Sequence, residues 1–135
     1  DGFYKAIRAN GMSTSKSIVH HLTPSQEGAY ADMKALLQAG EKPADCYFAD
    51  NDHIAIGAIT AFKEAGYHIP EDVAVIGFDD LPICEFFDPP LTTIHVPAHI
   101  MGETAVKRLI SIVERKNTHP IKIEISTLLK KRKSV

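Results

Sequence analysis

Residues 73–80 read VAVIGFDD, six consecutive positions without a polar side chain followed by two acids, and this stretch decides the fold class. A strand with one wet face alternates apolar and polar residues. An unbroken apolar run marks a strand covered on both faces, as in a parallel sheet flanked by helices. On its N-terminal side, residues 46–49 (CYFA) form a second buried strand. Asn51 or Asp52 then caps a helix that continues to Ala65 and stops at Gly66, with Pro70 beyond. On the C-terminal side, residues 91–96 give another strand, residues 97–116 a long amphipathic helix and residues 121–129 a last strand. Strands alternating with helices in this way predict an α/β fold: a doubly wound, mostly parallel sheet flanked by helices, with right-handed crossovers.

The first third of the chain continues the alternation. Residues 3–10 predict a short helix closed by Gly11, and residues 17–21 a strand. Thr23-Pro24-Ser25-Gln26 offers an N-cap threonine, a proline at the first helical position and a glutamine three residues after the cap. The helix it opens runs to Ala39 and stops at Gly40. In the helix over 97–116, Met101, Ala105, Leu109, Ile112 and Val113 share one face, which the period assigns to a core, while Glu103, Lys107, Arg108, Ser111 and Glu114 lie opposite. In the helix after Asp52, Ala55, Ala58, Ile59 and Phe62 make a core face, whereas Ile56 projects beside Lys63 on the far side. That position fits a subunit contact or an isolated surface isoleucine.

Composition excludes several classes of function. With 135 residues, 44% hydrophobic and 24% charged, the chain suits one compact domain that needs neither disulfide nor metal to hold it. Its apolar runs are too short to span a bilayer. A formal net charge of −2 lacks the basic footprint that phosphate-backbone binding requires. Cys46 and Cys84 stand far apart without ligand spacing and are expected as reduced, buried thiols of a cytosolic protein. Residues 1–7 (DGFYKAI) show no signal-peptide pattern.

In open parallel sheets ligands bind beyond the carboxyl ends of the strands. Here those ends carry Thr23, then Asp50, Asn51, Asp52 and His53, then Asp79 and Asp80. Carboxylates and amides converging there recognise neutral polar ligands through hydrogen bonds. Capping competes with binding for Asn51 and Asp52, and for Asp52 a helix cap near the site is the expected role. Asp79 ends a fully apolar strand and is expected to bind. An enzyme is not expected: Asp79 and Asp80 are neighbours pointing in different directions, unlike the facing pair of a glycosidase, and no GxSxG, GxGxxG or Walker loop occurs. His95 and His99 have a four-residue spacing, but Pro97 between them breaks the shared helix face a metal pair needs, and no cofactor is expected. The basic run Lys130, Lys131, Arg132, Lys133 is expected to solvate the end of a strand.

Residues 43–80 (PADCYFADNDHIAIGAITAFKEAGYHIPEDVAVIGFDD) and 89–109 (PPLTTIHVPAHIMGETAVKRL) together resemble the effector-binding domain of LacI/GalR transcriptional regulators. The resemblance implies the second lobe of a two-lobed, periplasmic-binding-protein-like domain that holds a sugar or nucleoside effector between its lobes. It places Asn51 and Asp79 at effector-binding positions, Thr23 where an aromatic often stacks, and Ala98 at the pocket wall. It further implies a cytoplasmic homodimer that reaches operator DNA through a helix-turn-helix headpiece outside this chain, with Ile56, Phe86 and Phe87 at the dimer interface. A periplasmic or secreted sugar-binding protein of the same fold is the alternative. The family's sheet includes a strand that would precede Gly2. The expectation is therefore that residues 17–21 move into its place or that a second copy fills it.

Overall fold

The apolar run at 73–78 forms the middle of a four-stranded sheet in the computed structural model, which describes residues 2–115 and 118–135. β1 (Cys46–Phe48), β2 (Ala74–Asp79), β3 (Thr92–His95) and β4 (Leu128–Lys130) lie in that order across the sheet. β1, β2 and β3 are parallel, with Phe48 opposite Ile76 and Asp79 opposite His95, and β4 returns antiparallel beside β3. Three parallel strands in sequence order put their carboxyl ends on one rim.

Two helices cover one face. α2 (Gln26–Gln38) and α3 (Asp52–Glu64) run in the same direction, since Gln26 and Tyr30 of α2 approach Gly57 while Lys34 reaches Glu64. Gly57 permits the close approach: a Cβ there would stand 2.4 Å from the Gln26 carbonyl oxygen. At the far ends the Lys34 ammonium donates to Tyr30 Oη (2.6 Å) and Glu64 Oε2 (2.9 Å), and Tyr30 donates to the same carboxylate (2.7 Å). α3 is thus wedged between sheet and helix. Ile56, expected on an outer face, is fully buried: it lies on the side of α3 that carries Asp52 and Lys63, where the segment after β2 packs, Leu81 N donating to Asp52 and Lys63 to Asp88. Ser25 rather than Thr23 caps α2, its hydroxyl accepting from Gly28 N at 3.1 Å.

The opposite face is only partly covered. Tyr47, Gly77 and Thr93 turn toward α3, where Tyr47 stacks on Phe62 and Thr93 reaches Asp52. Val75 and Gly77 are buried, whereas Ala74, Ile76 and Phe78 are half-buried, so the double covering expected of VAVIGF is one-sided among the described residues. On that second face α1 (Gly2–Ala9) makes contact through Phe3, which stacks on Phe48 6.4 Å away. β1 is an edge strand with Cys46 and Phe48 exposed, against the expectation of a buried strand and a buried Cys46. Residues 17–21 form no strand and do not enter the slot beside β1. Extended chain becomes a strand only when it joins a partner ladder, and residues 17–21 pair with no strand among the described residues.

After the short helix α4 (Ile83–Phe86), α5 (Ala98–Arg115) adopts the predicted helix, but its expected core face is wet: Leu109 is 59% and Val113 69% exposed, and no described residue of α5 is buried. Position 116, the expected end of that helix, lies outside the described residues. Of the strand expected over 121–129 only its end pairs with β3, as β4. The chain then returns into the core. The Ser134 hydroxyl accepts from Thr92 N (2.8 Å) and donates to the Val75 carbonyl (2.6 Å), while Val75 N donates to the Ser134 carbonyl (2.9 Å). Arg132 does not solvate the terminus: its guanidinium donates to the Leu91 carbonyl (2.8 Å) and to Asp80 (2.7 Å). No helix among the described residues is long and apolar enough to cross a membrane.

Candidate functional site

The rim at the carboxyl ends of β1, β2 and β3 gathers the residues singled out in the sequence. Asn51 follows β1, Asp79 ends β2 and Ala98 opens α5 three residues past the end of β3. Thr23 precedes α2, whose N-terminus lies at the same end as that of α3. Asp79, Thr23 and Ala98 are exposed and Asn51 is half-buried. Thr23 rests its Cβ and methyl against Gly28 in the first turn of α2, and its backbone N–H donates to Asp32 at 2.7 Å.

The cap expected of Asp52 falls to Asn51. Its Oδ1 accepts from Ile54 N at 2.8 Å, which leaves its amide NH2 as a donor at the end of β1. Asp52 is fully buried beneath the rim. Its Oδ1 accepts from Thr93 Oγ1 at 2.6 Å and its Oδ2 from Leu81 N at 2.8 Å. This carboxylate ties α3 to β3 and to the segment after β2, and Gly77 makes room for it: a Cβ there would lie 2.2 Å from Asp52 Oδ1. The Cys84 thiol also leans on it. Burial, then the hydrogen bond to Asp52, push that thiol up to about 12.

Asp79 and Asp80 diverge. Both hold left-handed backbone, at φ 112 and φ 61, a region that costs a non-glycine residue about 1–2 kcal/mol. Asp79 projects to solvent, whereas Asp80 Oδ2 lies 2.9 Å from His95 Nδ1 and Asp80 Oδ1 accepts from Arg132. Burial raises the Asp80 carboxyl, but the hydrogen bonds from Arg132 and His95 outweigh it and hold the group below its ordinary value. The Asp80–His95–Arg132 cluster was not anticipated from sequence. Its one signal was the second acid of the doublet, to which no role had been given.

The arrangement offers a carboxylate that has no partner among the described residues, an amide donor and no cationic side chain among the four rim residues, a chemistry suited to a neutral ligand rich in hydroxyl or N–H donors. Two surface clefts lie elsewhere, one around Lys63, Tyr67, His68 and Glu71, the other around Thr60, Ile83 and Phe86. Of the residues expected at a dimer interface, Phe86 is 80% exposed, Phe87 is partly buried against the core, and Ile56 is withdrawn from the surface. Among the described residues no group of three or more His, Cys, Asp or Glu is placed to hold a metal.

The family model for the periplasmic binding protein-like domain matches residues 1–135. The HTH-type transcriptional repressor PurR of Mannheimia succiniciproducens is 37% identical over 134 residues, which cover 99% of this chain and 40% of that protein. The chain thus spans about two fifths of the length of the curated relatives it matches. Among solved structures, the transcriptional regulator CelR–cellobiose complex superposes with a TM-score of 0.87 at 29% identity, covering 99% of this chain and 41% of that one. A LacI family transcriptional regulator from Enterococcus faecium with bound ribose gives 0.87 at 31% identity, covering 98% and 48%. These relatives are transcriptional regulators and not enzymes, and they favour the regulator reading over that of a solute-binding protein. With its whole length matched by the domain model, the chain belongs to the periplasmic binding protein-like domain family, and within it to the LacI-family regulators.

Proposed function

We propose that the chain is part of the ligand-sensing domain of a LacI-type transcriptional regulator, in which a neutral sugar or nucleoside bound at the Asn51–Asp79 rim alters DNA binding by a helix-turn-helix domain elsewhere in the polypeptide. The observation that carries this reading is the placement of the Asp79 carboxylate, which has no partner among the described residues, and the Asn51 amide on one rim of a parallel sheet, in a chain whose structural neighbours include complexes with cellobiose and ribose. A ligand changes the DNA affinity of such a protein only through its different affinity for two conformations. Thr23 and Ala98 contribute small walls, so hydrogen bonding rather than aromatic stacking dominates recognition at these positions. The test is calorimetry on the full-length protein with cellobiose, ribose and a panel of nucleosides. A ligand found there should bind less tightly by about 1–3 kcal/mol in Asp79→Ala and in Asn51→Ala. Unchanged affinity in both variants would remove these residues from the site.

The same reading makes the protein a cytoplasmic homodimer. Ile83 and Phe86, exposed beside Thr60, Lys63 and Glu64, supply the apolar contact. Phe86→Glu should leave the native circular dichroism spectrum unchanged and weaken self-association in sedimentation; a dimer of undiminished strength would place the interface elsewhere.

A further inference from the structure

Three of the four rim residues are placed by regular structure: Asp79 ends β2, Asn51 caps α3 and Ala98 opens α5. Thr23 is not. The chain reaches it from residues 17–21, which join no strand among the described residues, so the sheet does not set its position. One face of α2 does. Gly28 and Asp32 stand four residues apart on that face, one turn above the other. Gly28 lets the Thr23 side chain lie on the helix, since a Cβ at Gly28 would come 2.5 Å from both Thr23 Cβ and Cγ2. A turn further along, the Asp32 carboxylate accepts the Thr23 backbone N–H at 2.7 Å. The Thr23 carbonyl accepts from Ser25 N (2.8 Å), and the Ser25 hydroxyl accepts from Gly28 N (3.1 Å), which folds the turn onto the start of the helix. The bond from the Thr23 N–H, ahead of one from its hydroxyl, holds the half-buried Asp32 carboxyl below its ordinary value, so the acceptor is ionised at neutral pH.

We infer that Asp32 is a positioning residue of the ligand rim: by holding the Thr23 N–H against α2 it fixes where the Thr23 side chain meets the ligand. The inference rests on the rim being the ligand site. Asp32 acts through one backbone bond and needs no ligand contact of its own. Without that bond the turn at Thr23 is free to leave the helix, and a ligand that uses Thr23 has to order it again on binding. The cost of ordering appears as weaker affinity.

The test is a double-mutant cycle in the full-length protein, read by calorimetry with cellobiose, ribose and the nucleoside panel. Asp32→Ala should weaken binding about five-fold in the parent, and by less than about two-fold in a Thr23→Ala background, where no side chain is left to place. A general loss of structure, or a field effect of the charge, would persist equally in both backgrounds. Asp32→Asn keeps an acceptor oxygen without the charge and should recover most of the affinity lost with alanine. Alanine is the better helix former, and the native circular dichroism spectrum checks that each variant is folded. Asp79→Ala is measured alongside. If it weakens binding while Asp32→Ala does not, or if Asp32→Ala costs the same in both backgrounds, the positioning role is overturned and the rim reading stands. Unchanged affinity in Asp79→Ala and Asn51→Ala as well removes the rim as the site, and the inference with it.

Discussion

Replacing Asp52 by alanine should be among the most damaging changes in the chain, although the residue sits one position from a helix cap that tolerates loss. Asp52 is fully buried and accepts two short hydrogen bonds, from Thr93 Oγ1 at 2.6 Å and Leu81 N at 2.8 Å. Bonds to a charged acceptor contribute about 1.5–3 kcal/mol each, and their donors are left without a partner when it goes, so the expected loss is roughly 3–5 kcal/mol. The stability of a small domain is about 5–15 kcal/mol, so the variant stands near the edge of folding. Asn51→Ala removes only the cap on Ile54 N, at a cost of about 1 kcal/mol. Urea unfolding followed by circular dichroism compares the two directly. Equal losses for both variants, or a smaller one for Asp52, would refute the assignment of the cap to Asn51 and of the buried tie to Asp52.

Gly57→Ala should destabilise by about 1–3 kcal/mol in the same assay, since the added methyl meets the backbone of α2 rather than a movable side chain. Ser134→Ala should cost about 2 kcal/mol by leaving Thr92 N and the Val75 carbonyl without their hydroxyl partner, and a loss below about 0.5 kcal/mol would show the junction to be dispensable. A thiol reagent at pH 8 should modify one cysteine of the native chain, the exposed Cys46, and both after unfolding; reaction of Cys84 in the native protein would contradict its burial on Asp52. Because the folded Cys84 thiol is raised to about 12, its contribution to stability is complete below the ordinary thiol value of about 8.5 and is lost as pH rises from there toward 12.

Patterns that depend on neighbours in sequence were legible, and those that depend on distant partners were not. The apolar run before Asp79, the helix after Asn51 and the period of α5 appear where residue spacing placed them, because a strand or helix written into consecutive residues needs little else to be recognised. Asn51 and Asp52 are both good capping residues, and what separates them is Thr93, forty-one positions away. Ile56 looked external because a helical wheel assumes one buried side, whereas the segment after β2 lies against a second, at Asp52 and Lys63. Residues 17–21 have the composition of a strand without a ladder to join, and the apolar stripe of α5 finds nothing described to bury it. At the rim, the residue types at strand ends bring Asn51, Asp79 and Ala98 to one edge of the sheet. The partners of Asp80 had no local signature, since Arg132 lies fifty-two residues on.

The junction made by Ser134 also bears on how the protein comes into being. Val75 and Thr92 acquire their last hydrogen-bonding partner from a residue translated fifty-nine and forty-two positions later. Until Ser134 has emerged from the ribosome, the two central strands lack that stitch, and Arg132, which holds Asp80, is itself only just emerging. The rim at the carboxyl ends of β2 and β3 is therefore finished late, after every helix named above has already been synthesised.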